Sequence, residues 1–297
     1  MSLSLGSSLK AYLKLTVLFA LLGGILVALG FLIGGVSLAF WFLLFALGFN
    51  FLMYFISDKI VLASTGAKIV SEEEAPRLHA IVSKLAYQAG IPKPKVALVK
   101  SPQPNAFATG RNKEHAVVAV TTGLLNIMND DEIEAVLAHE VGHVIHRDML
   151  VSTVAASIAT AISYIGNLIA WMAILGGLGG RGRDDSARSI AALGAAILAP
   201  LAATFVQLAI SRSREYYADE ASAVLTKRPQ SLIRALTKIE QMIYRGAPLN
   251  APPSTASLWI SNPFKGSSLL ELFSTHPSTE NRIRRLEEIA RKMGYYI

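Results

Sequence analysis

The chain has 297 residues, of which 52% are hydrophobic and only 16% charged, and its mean hydropathy is +0.43; that balance is skewed towards membrane proteins and away from ordinary soluble domains. The net charge of +7 comes from basic residues scattered among acids, without the clustered stripe or recognisable module that a nucleic-acid surface requires. With no cysteine in the chain, disulfides, thiolate metal ligands and cysteine nucleophiles are excluded.

From residue 15 to residue 57 there is no charge, a stretch long enough for two helical passes of about 20 residues each. Gly34-Gly35-Val36-Ser37 is the expected hairpin break. A cleaved signal peptide would have an apolar core of only about 7–15 residues, so a stable membrane hairpin is the better reading. Lys10 and Lys14 precede the first span, and Lys59 and Lys68 follow the second. The excess of basic residues on that side predicts that both termini and the segments following the hairpin lie in the cytoplasm.

Beyond the hairpin, Leu78, Ile81, Val82, Leu85 and Ala86 recur at helical spacing over residues 75–88, and Gly90-Ile91-Pro92-Lys93-Pro94 stops that helix. Residues 96–99 and 116–120 read as short strands rich in β-branched side chains. Between them, residues 105–110 read as an edge strand or a turn.

Asn129 and Glu132 form a capping box at the head of a helix buried by Ile133, Val136, Leu137, Val141, Val144 and Ile145. This helix carries His139-Glu140-Val141-Gly142-His143. Positions four apart share a face, so both imidazoles can hold one Zn²⁺ while Glu140 reaches the water on that metal. A bare motif of this kind is only moderately specific. Its uncharged surroundings strengthen it, because buried polar groups require partners. Gly142 costs about 1 kcal/mol relative to alanine inside a helix, which points to a close backbone approach. His146 lies about 10 Å from His139 along the axis, too far for a metal bound at about 2.1 Å, and is expected at the surface or an interface.

Two more charge-free runs follow, residues 149–180 and 190–211, the second with Pro200 at its middle, which a membrane helix tolerates. They are read as a second hairpin, giving four predicted transmembrane helices. The loop between them puts Arg181, Arg183 and Arg188 on the outer side, in conflict with the orientation above. Next, Glu215 and Asp219 stand one helical turn apart. Glu215 has the reach to be the third metal ligand, and Asp219 can accept a hydrogen bond from a ligating imidazole. Residues 247–257 and 261–268, rich in Pro and Ser, read as a loop, either an ordinary surface connection or a flap over the site, the former favoured. After Pro277, Ile283, Leu286, Ile289 and Met293 mark an amphipathic helix that Gly294 ends.

Taken in order, the first hairpin, Asn105-Ala106-Phe107-Ala108-Thr109-Gly110, the HExxH motif, the second hairpin, Ser211-Arg212-Ser213-Arg214-Glu215-Tyr216-Tyr217-Ala218-Asp219 and His276-Pro277 resemble the HtpX family of bacterial membrane-bound zinc endopeptidases. The likeness covers nearly the whole chain and extends more distantly to the CaaX prenyl proteases, which are larger and have more spans. It implies a mainly α integral membrane protein with a gluzincin-like zinc peptidase domain and a small β-sheet. Its divisions would be a hairpin (1–60), the peptidase core (61–148), a second hairpin (149–211) and the remainder of the peptidase domain (212–297). The resemblance further implies one zinc ion per chain, with Glu215 as third ligand and Asp219 as its support. Asn105 and Ala106 would belong to the strand that holds substrate extended by main-chain pairing, and His276 and Arg282 would lie near the reacting carbonyl. In that family such enzymes clear misfolded or damaged membrane proteins.

The expected partners are therefore polypeptide substrates and the lipid bilayer of the cytoplasmic (inner) membrane, with no nucleic acid. No Gly-x-x-x-x-Gly-Lys-Ser/Thr loop occurs, so nucleotide-independent cleavage is expected. Two rival readings remain: a narrower prenyl-peptide protease, and a membrane adaptor with a structural metal. The adaptor would need four protein ligands and leaves Glu140 without a purpose.

Overall fold

The structure is a computed structural model that describes residues 3–177, 202, 204–205, 212–264 and 277–295. The charge-free N-terminal stretch forms α1 (Leu3–Thr65), broken where the sequence placed the hairpin: Gly34 (φ −146°, ψ 24°) and Gly35 (φ 64°, ψ −155°) leave helical geometry. The positive φ at Gly35 is open to glycine at little cost. The arms approach so closely that a Cβ on Gly30 would sit 2.8 Å from the Phe42 ring. Both arms, Ala11–Leu32 and Gly34–Thr65, are long and apolar enough to cross a membrane. Leu32, Val36, Trp41 and Phe51 stay exposed on them, an apolar surface that fits lipid better than water.

After α1 come β1 (Ala67–Ile69), α2 (Pro76–Ala89), β2 (Lys95–Val99), β3 (Ala106–Thr109), β4 (Val117–Thr121) and α3 (Thr122–Ile127). The sheet order is β1-β2-β4-β3. The β2–β4 pair is parallel and the other two are antiparallel, with Phe107 opposite Ala119. Residues 105–110, left between strand and turn by the sequence, thus supply the edge strand β3. Gly90 ends α2 in the left-handed conformation (φ 62°), as its position after the periodic run suggested.

The motif helix α4 (Asp130–His146) starts with both halves of the expected capping box in place. After α5 (Met149–Gly177), the remaining helices are α6 (Arg212–Thr226), α7 (Pro229–Tyr244) and α8 (Thr279–Lys292). Helix α7 went unread in the sequence, although Leu232, Ala235, Leu236, Ile239 and Ile243 recur at helical spacing behind Pro229 and are all buried. Val118 and Val120 of β4 join α2, α4, α7 and α8 in the main core. Val117 and Ala119, on the other face, meet Val61, Phe107 and Trp259.

Helix α5 packs against α1 through Leu150, Val154 and Ile158 on Leu15, Leu18 and Leu22. It meets α4 at a bend of 93°, and only as a pair do these two helices pass the same membrane-crossing test. Residues 190–211, read as the fourth span, lie almost wholly outside the described residues, as does the arginine-bearing loop before them. One expectation is corrected in part: residues 247–253 are exposed or half-buried, as a surface connection would be. Residues 254–263 are buried throughout rather than forming a surface connection, because Trp259 and Ile260 fill the space beside β3, Trp259 bridging to Phe107.

Candidate metal centre

Helix α4 lies along α6, and Gly142 is the reason it can. A Cβ there would stand 3.0 Å from both the Ala218 Cα and the Ala221 Cβ, so the missing side chain lets α6 bring its carboxylates to the two imidazoles. Gly142→Ala gains about 1 kcal/mol of helix propensity but forces the helices apart, an overpacking cost of about 1–3 kcal/mol. We expect a net loss of stability and weaker metal binding, read by thermal unfolding and zinc titration; an unchanged zinc affinity would refute the close-approach role.

The His139 and His143 Nε2 atoms are 3.2 Å apart. Glu215 Oε2 is 3.6 Å from the first and Oε1 3.7 Å from the second. For tetrahedral zinc with bonds near 2.1 Å, ligand atoms are about 3.4 Å from one another, so the three donors fit. Among the described residues, this is the group of His, Asp and Glu side chains placed to hold a metal ion. The tautomers fit as well. His139 Nδ1 faces Asp219 Oδ1 at 2.9 Å and His143 Nδ1 faces Asp148 Oδ1 at 3.1 Å. A proton held on each Nδ1 by its carboxylate leaves both Nε2 lone pairs aimed at the same point.

Glu140 is fully buried, and neither of its oxygens has a hydrogen-bond partner among the described residues. Desolvation pushes its carboxyl up to about 8, the range a proton shuttle needs at neutral pH. Three protein donors match the number found in catalytic zinc sites, whereas structural sites use four.

Residues 72–290 match Peptidase family M48. The chain belongs to that family. It is 51% identical to the Protease HtpX homolog of Thermococcus kodakarensis over 97% of this chain and 99% of that protein. It is 52% identical to the homolog of Pyrococcus furiosus, over 95% and 97%, and 50% identical to that of Aquifex aeolicus, over 91% and 90%. The crystal structure of S. mikatae Ste24p aligns over 95% of this chain and 67% of its own, with 19% identity and a TM-score of 0.47. The protein is an HtpX-type M48 metalloprotease with membrane-spanning helices, a metal site and polypeptide substrates.

The M48 site is braced by two carboxylate–guanidinium pairs. On one side, Arg282 grips Asp219 with two bonds, Nε to Oδ2 at 3.0 Å and Nη2 to Oδ1 at 2.7 Å. Burial raises the Asp219 carboxyl, but the Arg282 guanidinium and the His139 ring together hold the group below its usual range. Arg282 is itself buried at 1% exposure, and its Nη1 donates to the Ile260 carbonyl at 2.6 Å. On the other side, Arg214 Nε lies 3.4 Å from Asp148 Oδ2, and its Nη2 donates to Ser152 Oγ at 2.7 Å.

Sequence reasoning missed Asp148. Its signal was an acid just past the motif helix, but only the left-handed turn at Arg147 (φ 58°) brings it back beneath His143.

Of the other expected residues, Asn105 and Ala106 lie on the sheet edge, where the Ala106 carbonyl accepts from the Ile260 amide at 2.8 Å. The Asn105 Nδ2 donates to the Ser261 carbonyl at 2.9 Å. His146 stays outside the metal group, as expected, with its ring 5.8 Å from that of Tyr217. His276 lies outside the described residues.

Proposed function

We propose that this M48 protein is a nucleotide-independent zinc endopeptidase of the cytoplasmic membrane that cleaves misfolded or damaged membrane proteins. The convergence of His139, His143 and Glu215 beside a buried Glu140 with no hydrogen-bond partner among the described residues carries this reading. Zinc held by those three side chains would supply an acidified water and polarise the scissile carbonyl. Glu140, buried beside the three donors, would accept a proton at its carboxylate and return it to the leaving amine. Asp219 and Asp148 hold the imidazole tautomers, and Arg282 neutralises Asp219.

The β3 edge at Asn105 and Ala106, where Ile260 and Ser261 now bond, would offer main-chain pairing to an extended substrate. In the reading drawn from the family resemblance, Arg282 and His276 stand near the reacting carbonyl. An edge of this kind accepts main chain that is already unfolded, which supports a role in quality control. The lysines flanking α1 support a cytoplasmic catalytic domain.

The test is metal content and cleavage by the purified protein in detergent. Wild type should bind one zinc per chain and degrade an unfolded membrane protein without ATP, and a chelator should abolish cleavage. His139→Ala and Glu215→Ala should lose the metal. Asp148→Asn should weaken its binding about 10–100-fold, as expected when a group supporting a ligand is changed. Zinc retained by Glu215→Ala, or a requirement for ATP, would refute the respective part. Preferential cleavage of prenylated peptides would move the assignment to a CaaX-type processing protease.

A further inference from the structure

A peptidase must offer its sheet edge and the space before its metal to another chain, and here both are filled by the protein's own residues. The segment after the 3-10 turn Pro253–Thr255 runs antiparallel to β3, with Trp259 opposite Phe107. The Ile260 amide occupies the Ala106 carbonyl at 2.8 Å. Asn105 holds both polar groups of the Ser261 backbone, donating from Nδ2 to its carbonyl at 2.9 Å and accepting from its amide at Oδ1 at 3.4 Å. Arg282 Nη1 donates to the Ile260 carbonyl at 2.6 Å.

Each of these contacts is to main chain, so any extended peptide could make them in place of this one. A strand edge pairs with one neighbour at a time. Beside the ligands, Ser257 and Leu258 line a partly open pocket with Ala108, His143 and Glu215 whose volume is about 10 Å³, on the order of one water molecule. A scissile peptide does not fit there.

We propose that residues 257–261 form a pseudosubstrate strap: they keep the protease latent by occupying the β3 edge, and a substrate strand binds only when they withdraw. The proposal rests on the zinc-peptidase reading above. The strap's anchor is Trp259, fully buried on the sheet face away from the metal, with its ring centroid 4.8 Å from that of Phe107. Its withdrawal also frees Arg282 Nη1, 3.9 Å from Glu215 Oε2, to meet a substrate carbonyl instead. Latency is thus built from the same donors and acceptors that bind substrate.

The chain contains no cysteine, so a disulfide can lock the strap without competing thiols. Phe107 and Trp259 stand directly opposite each other, the placement a disulfide requires. Zinc-loaded, full-length Phe107→Cys/Trp259→Cys protein in detergent should cleave a short unfolded peptide at least about tenfold more slowly when oxidised than when reduced. Equal rates in the two states, with the bridge verified by mass spectrometry, overturn the strap. Wild type, indifferent to the reductant, reports on the peptidase reading alone: no cleavage there sinks that reading, whereas cleavage that the bridge does not slow sinks only the strap.

Should the double variant fail to fold, hydrogen exchange on Glu140→Gln protein decides the matter. Saturating unfolded peptide should speed exchange of the 259–261 amides and leave β4 protected. Unchanged protection of the strap with peptide bound overturns the proposal.

Discussion

Glu140→Gln is expected to lower peptide cleavage by about 10²–10⁴-fold, the range for removing a positioned proton-transfer group, while zinc stays bound at one ion per chain. That loss corresponds to about 3–5 kcal/mol of transition-state stabilisation. The substitution keeps size and polarity and removes only the ability to take a proton, so the metal should not notice it. Glu140 is not among the three donors that converge on the metal position. Because its side chain is fully buried, bulk solvent cannot easily replace it as a base. Steady-state cleavage rates and metal analysis on the same preparation make the measurement. A variant that retains zinc and cuts at the wild-type rate would refute the assignment, and one that loses zinc would show that Glu140 shapes the site.

Arg282→Met should be the costliest single change in the groups around the metal. It removes the bidentate partner of Asp219 and strands a carboxylate of 0% exposure. Breaking a buried pair from one side typically costs about 3–5 kcal/mol. We expect a marked drop in the unfolding midpoint in detergent, together with weaker zinc binding as Asp219 releases its hold on His139. Arg282→Lys should restore little, since an ammonium cannot reproduce the two-pronged grip. The double variant Arg282→Met/Asp219→Leu should recover part of the stability by removing both charges, but not the zinc affinity. If Arg282→Met unfolds like wild type, the pair is not what braces the site.

Both expectations depend on structure in unequal measure. Glu140 was legible from the chain alone, because HExxH is a local code: four residues bring the imidazoles to one helix face whatever surrounds that helix. The capping box at Asn129 and Glu132, the glycine stop at Gly90 and the break at Gly34-Gly35 were legible for the same reason. Each is decided by backbone geometry within a few residues. Glu215 and Asp219 were readable only because the upstream motif asked for a carboxylate.

Asp148 and the fate of residues 254–263 were not legible. The Asp148 contact needs a left-handed turn at Arg147, a conformation that a non-glycine residue seldom adopts and that sequence does not announce. Residues 254–263 carry the Pro and Ser composition of a surface loop, yet Trp259 finds Phe107, more than a hundred residues away.

By itself, then, the sequence determined the membrane hairpin, the metal-binding helix and the chemistry of its donors, because helix periodicity and hydrophobic length act over short range. Only the tertiary structure decided that Arg282 braces Asp219, that the missing side chain of Gly142 admits Ala218 and Ala221, and that residues 259–261 lie along the β3 edge. Those facts depend on which distant surfaces pack together, and packing is a property of the whole fold.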